Sequence, residues 1–427
     1  MQGGLMGLFL EVSLALAAII AVARICGWLA YYIGQPRVVG EMIAGVLVGP
    51  SFLGLIAPEI QATIFPKDVI PVLFVLSNIG LALYMFLVGA DVDHQKLTGK
   101  MYKHSMWLFA SGLIPTFVLG GVIAYFFYDT LSLPHVNPIV FAIFLGASIS
   151  LTAFPMLARI LQEENLTHSR IGTLSLIAAS LDDAAAWCLV ALAVALAQAK
   201  SILIGLMAGF GGAIFAVLML TVGKRLFRII GEKTEQTKNL SHTHLAIILI
   251  SVLLAAWFTD YIGIFSVFGG FITGLAMPKN PVFLRELHGK LSDIVIVFLV
   301  PIFFVYSGLN TQLTLISHAS ALVIFLIVLL ASVAGKYGGC TLTMKLLGYS
   351  FREASAIGGL MNARGLMVLI LVNIGFMYNI ITKDLFAVLV LMAIVTTALA
   401  MPIYRFSYPR ASKNKVKVEE KELIQQN

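Results

Sequence analysis

Two adjacent carboxylates, Asp182 and Asp183, sit inside an apolar run from about Ile171 to Ala197. A helix of about 20 residues crosses a bilayer, so this run is long enough to do so. A charge at the bilayer centre costs at least about 2.5 kcal/mol even on the most lenient scale, so two in succession call for a function. A buried carboxylate beside a like charge holds either a proton or a hard cation, not both. That mutual exclusion is sufficient for exchange of one for the other. A small alkali cation wants oxygen ligands, and Ser180, one turn ahead of the aspartates, offers a hydroxyl. Successive residues lie about 100° apart around a helix, so the two aspartates do not face each other and each addresses a different neighbour. A purely structural carboxylate pair is the alternative, and the depth of this one in an apolar run weighs against it.

Two further stretches offer ligands. Gly146-Ala147-Ser148-Ile149-Ser150-Leu151-Thr152-Ala153-Phe154-Pro155 is apolar and interrupted, and Pro155 removes a backbone donor, freeing carbonyls near Leu151 and Thr152. Gly358-Gly359-Leu360-Met361-Asn362-Ala363-Arg364-Gly365 breaks a second apolar run with glycines and a polar pair. Broken helices leave half-helix ends whose dipoles and loose carbonyls suit ions. The Thr152 hydroxyl joins the candidate ligands. Asn362 and Arg364 support the second break, with Arg364 neutralising a half-helix end or pairing with Glu41. Lys336 is the remaining buried charge. It stands 11 residues before Leu347, roughly 16 Å along a helix, which strains any snorkelling reach to the interface. A buried lysine needs a partner, and Asp182 is the candidate. No hydrolytic or redox centre is visible, so no enzyme or resident cofactor is expected. The species handled are Na⁺ or K⁺ and H⁺.

The elements that position these residues follow from composition. The 427 residues are 59% hydrophobic and 11% charged, with a mean hydropathy of +0.96. Soluble domains carry about 25% charged residues, so this is an integral membrane protein. Long unbroken apolar runs exclude a barrel and predict an all-α fold. Thirteen spans are expected, near 5–33, 38–53, 69–90, 105–128, 138–161, 169–197, 201–228, 243–260, 262–278, 291–309, 316–347, 353–379 and 384–405. The three cysteines, Cys26, Cys188 and Cys340, lie in apolar runs with no disulfide or metal spacing. No basic stretch precedes the first apolar run, so a cleaved signal peptide is not expected. With the N-terminus outside, 23 lysines and arginines fall on the inner side and 3 on the outer. This is the positive-inside pattern of a multi-pass cell-membrane protein with a cytoplasmic C-terminus.

The two halves echo each other. Gly40-Glu41-Met42-Ile43-Ala44-Gly45-Val46-Leu47-Val48-Gly49-Pro50 in the second span corresponds to Gly269-Gly270-Phe271-Ile272-Thr273-Gly274-Leu275-Ala276-Met277-Pro278 in the ninth. The third span ends Val88-Gly89-Ala90-Asp91, the tenth Ser307-Gly308-Leu309-Asn310. Six-helix repeats joined by one linking span are inverted, as in many secondary transporters, and the two broken spans then become equivalent discontinuous crossing helices. The predicted organisation is a transmembrane unit over 1–410, with ion-site helices about 69–197 and 291–405 and scaffold helices about 1–53 and 201–278. A charged tail follows over 411–427.

Taken together, the Gly40–Pro50 stretch, the break at Thr152, Leu181-Asp182-Asp183 and Asn362-Ala363-Arg364-Gly365 resemble the monovalent cation:proton antiporter-2 family across nearly the whole chain. The resemblance implies a homodimer with a dimerisation domain and a moving core that works by elevator-type alternating access. It implies that Asp183 is the shared cation and proton site and that Asp182 pairs with Lys336. Members of this Asp-Asp type are sodium/proton antiporters, typically exchanging two protons per sodium. Glutathione-gated potassium-efflux members carry a different residue where Asp182 stands, and a nucleotide-binding domain with no counterpart in these residues. Plant-type exchangers share the Asn-x-Arg-Gly stretch and usually place Asn before the aspartate. The aspartate pair thus argues for sodium, while the twelfth span leaves a potassium/proton antiporter open. A cation channel, with the aspartates in a selectivity ring, is the rival from another class.

Overall fold

A computed structural model describes residues 4–91, 99–164, 166–167, 169–197, 202–262, 266–309 and 319–408. Among them the chain is helical throughout, apart from an isolated β-bridge between Ser132 and Ile381. The first half runs α1 (Leu5–Tyr32), α2 (Arg37–Val48), the short α3 (Leu53–Ile56) and α4 (Pro58–Ile64), α5 (Ile70–Asp91), α6 (Gly99–Phe126), α7 (Tyr128–Leu131), α8 (Pro138–Ser150), α9 (Phe154–Glu163) and α10 (Arg170–Ala197). Next come α11 (Ile202–Leu218) and α12 (Lys224–Thr237). The second half runs α13 (His242–Tyr261), α14 (Ser266–Leu275), α15 (Pro281–Asp293), α16 (Val300–Leu309), α17 (Ala319–Val333), α18 (Gly339–Leu346), α19 (Phe351–Leu360), α20 (Gly365–Met377) and α21 (Lys383–Ser407). Among the described residues three π-helical turns join consecutive helices: Met219–Gly223, Ile294–Leu299 and Ala334–Gly338. Eight helical stretches among the described residues are long and apolar enough to cross a membrane, and α8 and α14 are shorter apolar helices. The expected tail over 411–427, and Lys96, Lys200 and Asn310, lie outside the described residues.

Local sequence sets the helix ends. Asn137 accepts from the Ile139 amide at 2.8 Å and starts α8, with Pro138 in the first turn where its missing N–H costs nothing. Asn280 and Pro281 start α15 in the same way. Ser350 and Glu353 form a reciprocal capping box at α19. Thr382 caps α21.

The helices group into two bundles by packing. In the first, α2 lies against α1 and α16, and α14 lies against α5 and α13. In the second, α6 lies against α8, α10 and α18, α19 packs on α18 and α21, and α20 packs on α21. The sequence reading grouped 69–90 and 291–309 with the ion-site helices. α5 and α16 pack mainly on α14 and α2 of the first bundle, and also touch α9 and α20. The cause is backbone contact through small residues: a Cβ at Gly45 would strike the Phe304 carbonyl, one at Gly308 the Gly45 carbonyl, and one at Gly274 the Phe86 carbonyl. Such approach is how helices associate where lipid removes the hydrophobic drive.

Candidate ion-binding site

The span expected over 138–161 is two helices. α8 stops at Ser150, Leu151 and Ala153 are extended, and α9 begins at Phe154 with Pro155 in its first turn. Pro155 therefore opens a new helix, where its fixed geometry fits, rather than kinking a continuous one. The span over 353–379 divides likewise, with α19 ending at Leu360 and α20 starting at Gly365, whose φ of 42° is readily adopted by glycine. The two interruptions meet. The Ala153 amide donates to the Ala363 carbonyl at 2.9 Å, and the Thr152 hydroxyl donates to the Met361 carbonyl at 2.8 Å. Backbone freed by each break is thus partly satisfied by the other, as a bilayer interior requires.

Against this crossing lies α10. Asp182 is fully buried and Asp183 is 6% exposed. Asp182 Oδ2 accepts from the Thr152 amide at 3.1 Å and from the Lys336 ammonium, which also donates to the Ser150 carbonyl. Lys336 therefore ties α10 to the end of α8 and is itself fully buried. Asp183 has a different environment. Its carboxylate faces the amide of Phe154, the first residue of α9. Neither of its oxygens has a partner in hydrogen-bond geometry among the described residues. A helix N-terminus favours the anion, yet the oxygens retain free lone pairs. One aspartate is thus committed to a structural ion pair and the other is open.

Arg364 lies in the second break, fully buried. Its Nη2 donates to the Ser332 carbonyl at 2.9 Å, and its amide and that of Gly365 both donate to the Thr397 hydroxyl at 3.1 and 2.9 Å. It does not pair with Glu41. Glu41 Oε1 instead meets Arg159 Nη2 of α9 at 2.7 Å, both groups buried, because α2 packs beside α9 while Arg364 reaches toward α17. Asn362 donates its amide to the Gly358 carbonyl at 3.0 Å, and its buried Oδ1 has no protein partner among the described residues. Ser180 is part-buried, and its hydroxyl donates to the Ile177 carbonyl of its own helix. The Thr152 side chain bridges the two breaks while its backbone holds Asp182.

Three features had weak sequence signals. The π turn Ala334–Gly338 carries Lys336, and only the flanking Gly335, Gly338 and Gly339 hint at it. The Arg159–Glu41 pair was hidden because one partner is 118 residues from the other, although Arg159 and Glu163 stand at i, i+4. Thr397 reads as one more small residue in an apolar helix.

Two broken helices that meet beside a buried aspartate pair and a buried lysine define a membrane transporter of the secondary type. A profile of the family described as "Sodium/hydrogen exchanger, transmembrane" matches residues 16–404, and the chain belongs to that family. It is 42% identical to the Na(+)/H(+) antiporter NhaS4 of Synechocystis sp. over 392 residues, covering 92% of this chain and 95% of that one. It is 36% identical to Cation/H(+) antiporter 19 of Arabidopsis thaliana and 32% identical to K(+)/H(+) antiporter 1 of Saccharomyces cerevisiae, over 94% and 90% of this chain. The chain spans 50% and 45% of those two relatives. The solved structure of the sodium proton antiporter MjNhaP1 from Methanocaldococcus jannaschii shares the fold, with a TM-score of 0.60 at 19% identity over 96% of this chain and 98% of that one.

Proposed function

We propose that this protein is a secondary active Na⁺/H⁺ antiporter in which Asp183 binds the cation and the proton in turn. The observation that carries the reading is the division of labour in the aspartate pair: Asp182 is held by Lys336 and the Thr152 amide, while neither Asp183 oxygen has a partner in hydrogen-bond geometry among the described residues. The cation takes ligands from Asp183 and from oxygens around the crossing, among which Asn362 Oδ1 and Asp182 Oδ1 are buried with no hydrogen-bond partner among the described residues. An incoming cation displaces the proton, and a returning proton displaces the cation.

Alternating access is of the elevator kind, with the bundle containing α6, α8–α10 and α17–α21 moving against the bundle built on α2, α5, α14 and α16. The thirteen spans form two inverted six-helix repeats. Reciprocal packing supports this: α2 of the first half lies on α16 of the second, and α14 of the second on α5 of the first. The protein works as a homodimer in the cell membrane, N-terminus outside. The family membership and the name of the Synechocystis relative support sodium. The name of the yeast relative keeps K⁺/H⁺ exchange as the second reading.

The test uses proteoliposomes with a trapped pH dye, wild type against Asp183→Ala, under Na⁺, Li⁺ and K⁺ pulses. The proposal expects wild type to dissipate the pH gradient with a saturable dependence on Na⁺, and the variant not to. Equal proton flux from the variant, or an ohmic cation current without proton movement, refutes it.

A further inference from the structure

Lys336 sits in a π-helical turn, Ala334–Gly338, between α17 and α18. Such i→i+5 turns are uncommon and often mark functional positions, and they rotate the side chains they carry relative to a regular helix. Two contacts hold this turn. On one side α6 packs directly on it: a Cβ at Gly335 would lie 3.0 Å from Thr116 Cα, and one at Gly112 would lie 3.3 Å from Lys336 Cε and 2.9 Å from Cys340 Sγ. The aliphatic stem of Lys336 thus passes over Gly112. From the second break, Arg364 Nη2 reaches across to the Ser332 carbonyl, two residues ahead of the turn, at 2.9 Å. Arg364 is fully buried, and that bond is the only one given to its guanidinium among the described residues, Nε and Nη1 having none. A buried guanidinium is costly to hold, and the one bond it makes fixes the helix end that leads into the lysine-bearing turn.

We propose that Arg364 is a positioning residue for Lys336. By pinning the Ser332 carbonyl it sets the π turn that aims the ammonium at Asp182 and the Ser150 carbonyl. It acts on exchange through Lys336 and touches neither Asp183 nor the transported cation. The break that carries Arg364 is bonded through Ala363 and Met361 to the break that carries Thr152. A shift of one break is therefore transmitted to the lysine as well as to the backbone that holds Asp182. The functional half of this inference rests on the antiporter reading; the structural half does not.

The experiment has two arms. In the first, hydrogen–deuterium exchange compares wild type with Arg364→Gln and Arg364→Lys. Loss of one hydrogen bond to a charged group predicts about tenfold faster exchange over Ala334–Gly338 in Arg364→Gln. Arg364→Lys, whose ammonium keeps one donor for Ser332, returns most of the protection. Unchanged exchange over the turn in Arg364→Gln overturns the proposal whatever the transport result. The second arm measures Na⁺-driven proton flux for Arg364→Gln, Gly112→Ala, Lys336→Gln and the two doubles with Lys336→Gln. Both single changes slow flux by about tenfold or more, and neither slows it further once Lys336 is gone, because residues acting through one group are not additive. Doubles slower than Lys336→Gln by the full factor of the added change would contradict it, as a merely structural role predicts. If Arg364→Gln does not fold, Arg364→Lys takes its place: its flux is expected between wild type and Lys336→Gln, with no further fall in the double with Lys336→Gln, and additive slowing overturns the proposal. Gly112→Ala, which presses on the lysine stem without touching Arg364, is then the control for Lys336 itself.

Discussion

The Glu41–Arg159 pair yields the prediction with the clearest magnitude. Glu41 is 1% exposed and Arg159 6% exposed, and their 2.7 Å contact joins α2 of one bundle to α9 of the other. Removing one partner of a buried pair costs about 3–5 kcal/mol, chiefly because the other charge is stranded. In Glu41→Met the stranded group is Arg159, which keeps a weaker partner in Glu163 at 3.5 Å. The loss therefore falls at the lower end, about 3 kcal/mol. For a chain of 427 residues, with unfolding entropy scaling with length, that loss lowers Tm by roughly 3 °C. Arg159→Met strands Glu41, which has no second cation at hydrogen-bond distance among the described residues, and costs more. The double change Glu41→Met/Arg159→Met removes both charges and recovers most of the loss, since a well-packed apolar replacement of a buried pair is near neutral. The assay is thermal unfolding of the purified protein in one detergent, followed by tryptophan fluorescence. A double variant as unstable as the sum of the singles would refute the ion-pair account of this contact.

Other substitutions have defined outcomes. Thr397→Val removes the acceptor for the Arg364 and Gly365 amides, leaving two buried donors unpaired at about 1–3 kcal/mol each, so the same unfolding assay shows a Tm drop of at least 2 °C, whereas Thr396→Val, whose hydroxyl bonds only within its own helix, stays within about 1 °C. Gly308→Leu drives a side chain into the Gly45 backbone and abolishes monodisperse protein on size-exclusion chromatography, because two helix backbones must separate to admit it. Lys336→Gln leaves Asp182 buried without its cation and destabilises the protein by about 3–5 kcal/mol; Lys336→Gln with Asp182→Asn is more stable than the single change in the unfolding assay.

Several buried groups of the candidate site were legible in the sequence because expense in a bilayer is legible. Asp182, Asp183 and Lys336 stand out from apolar runs, and a lysine too deep to snorkel has few possible partners, so the Lys336–Asp182 pair could be anticipated. The two helix breaks were announced by Pro155 and by Gly358, Gly359 and Gly365, residue types that end helices. What stayed hidden depends on distance along the chain. Nothing local in Glu41 chooses Arg159 over Arg364; the choice is made by which helix ends lie together. The grouping of α5 and α16 with α2 and α14 follows from interlocked glycines, and glycine spacing alone does not name the partner helix. The π turn is a matter of backbone hydrogen-bond register, which the run Gly335-Lys336-Tyr337-Gly338-Gly339 permits without requiring.

The central claim is that one carboxylate, Asp183, exchanges a proton for a cation. The most direct measurement is proton release from purified protein in weakly buffered detergent on addition of NaCl, with choline chloride as the ionic-strength control. Wild type is predicted to release protons saturably with Na⁺, and Asp183→Asn, folded to the same Tm within about 2 °C, to release none. Proton release by Asp183→Asn equal to that of wild type would contradict the account.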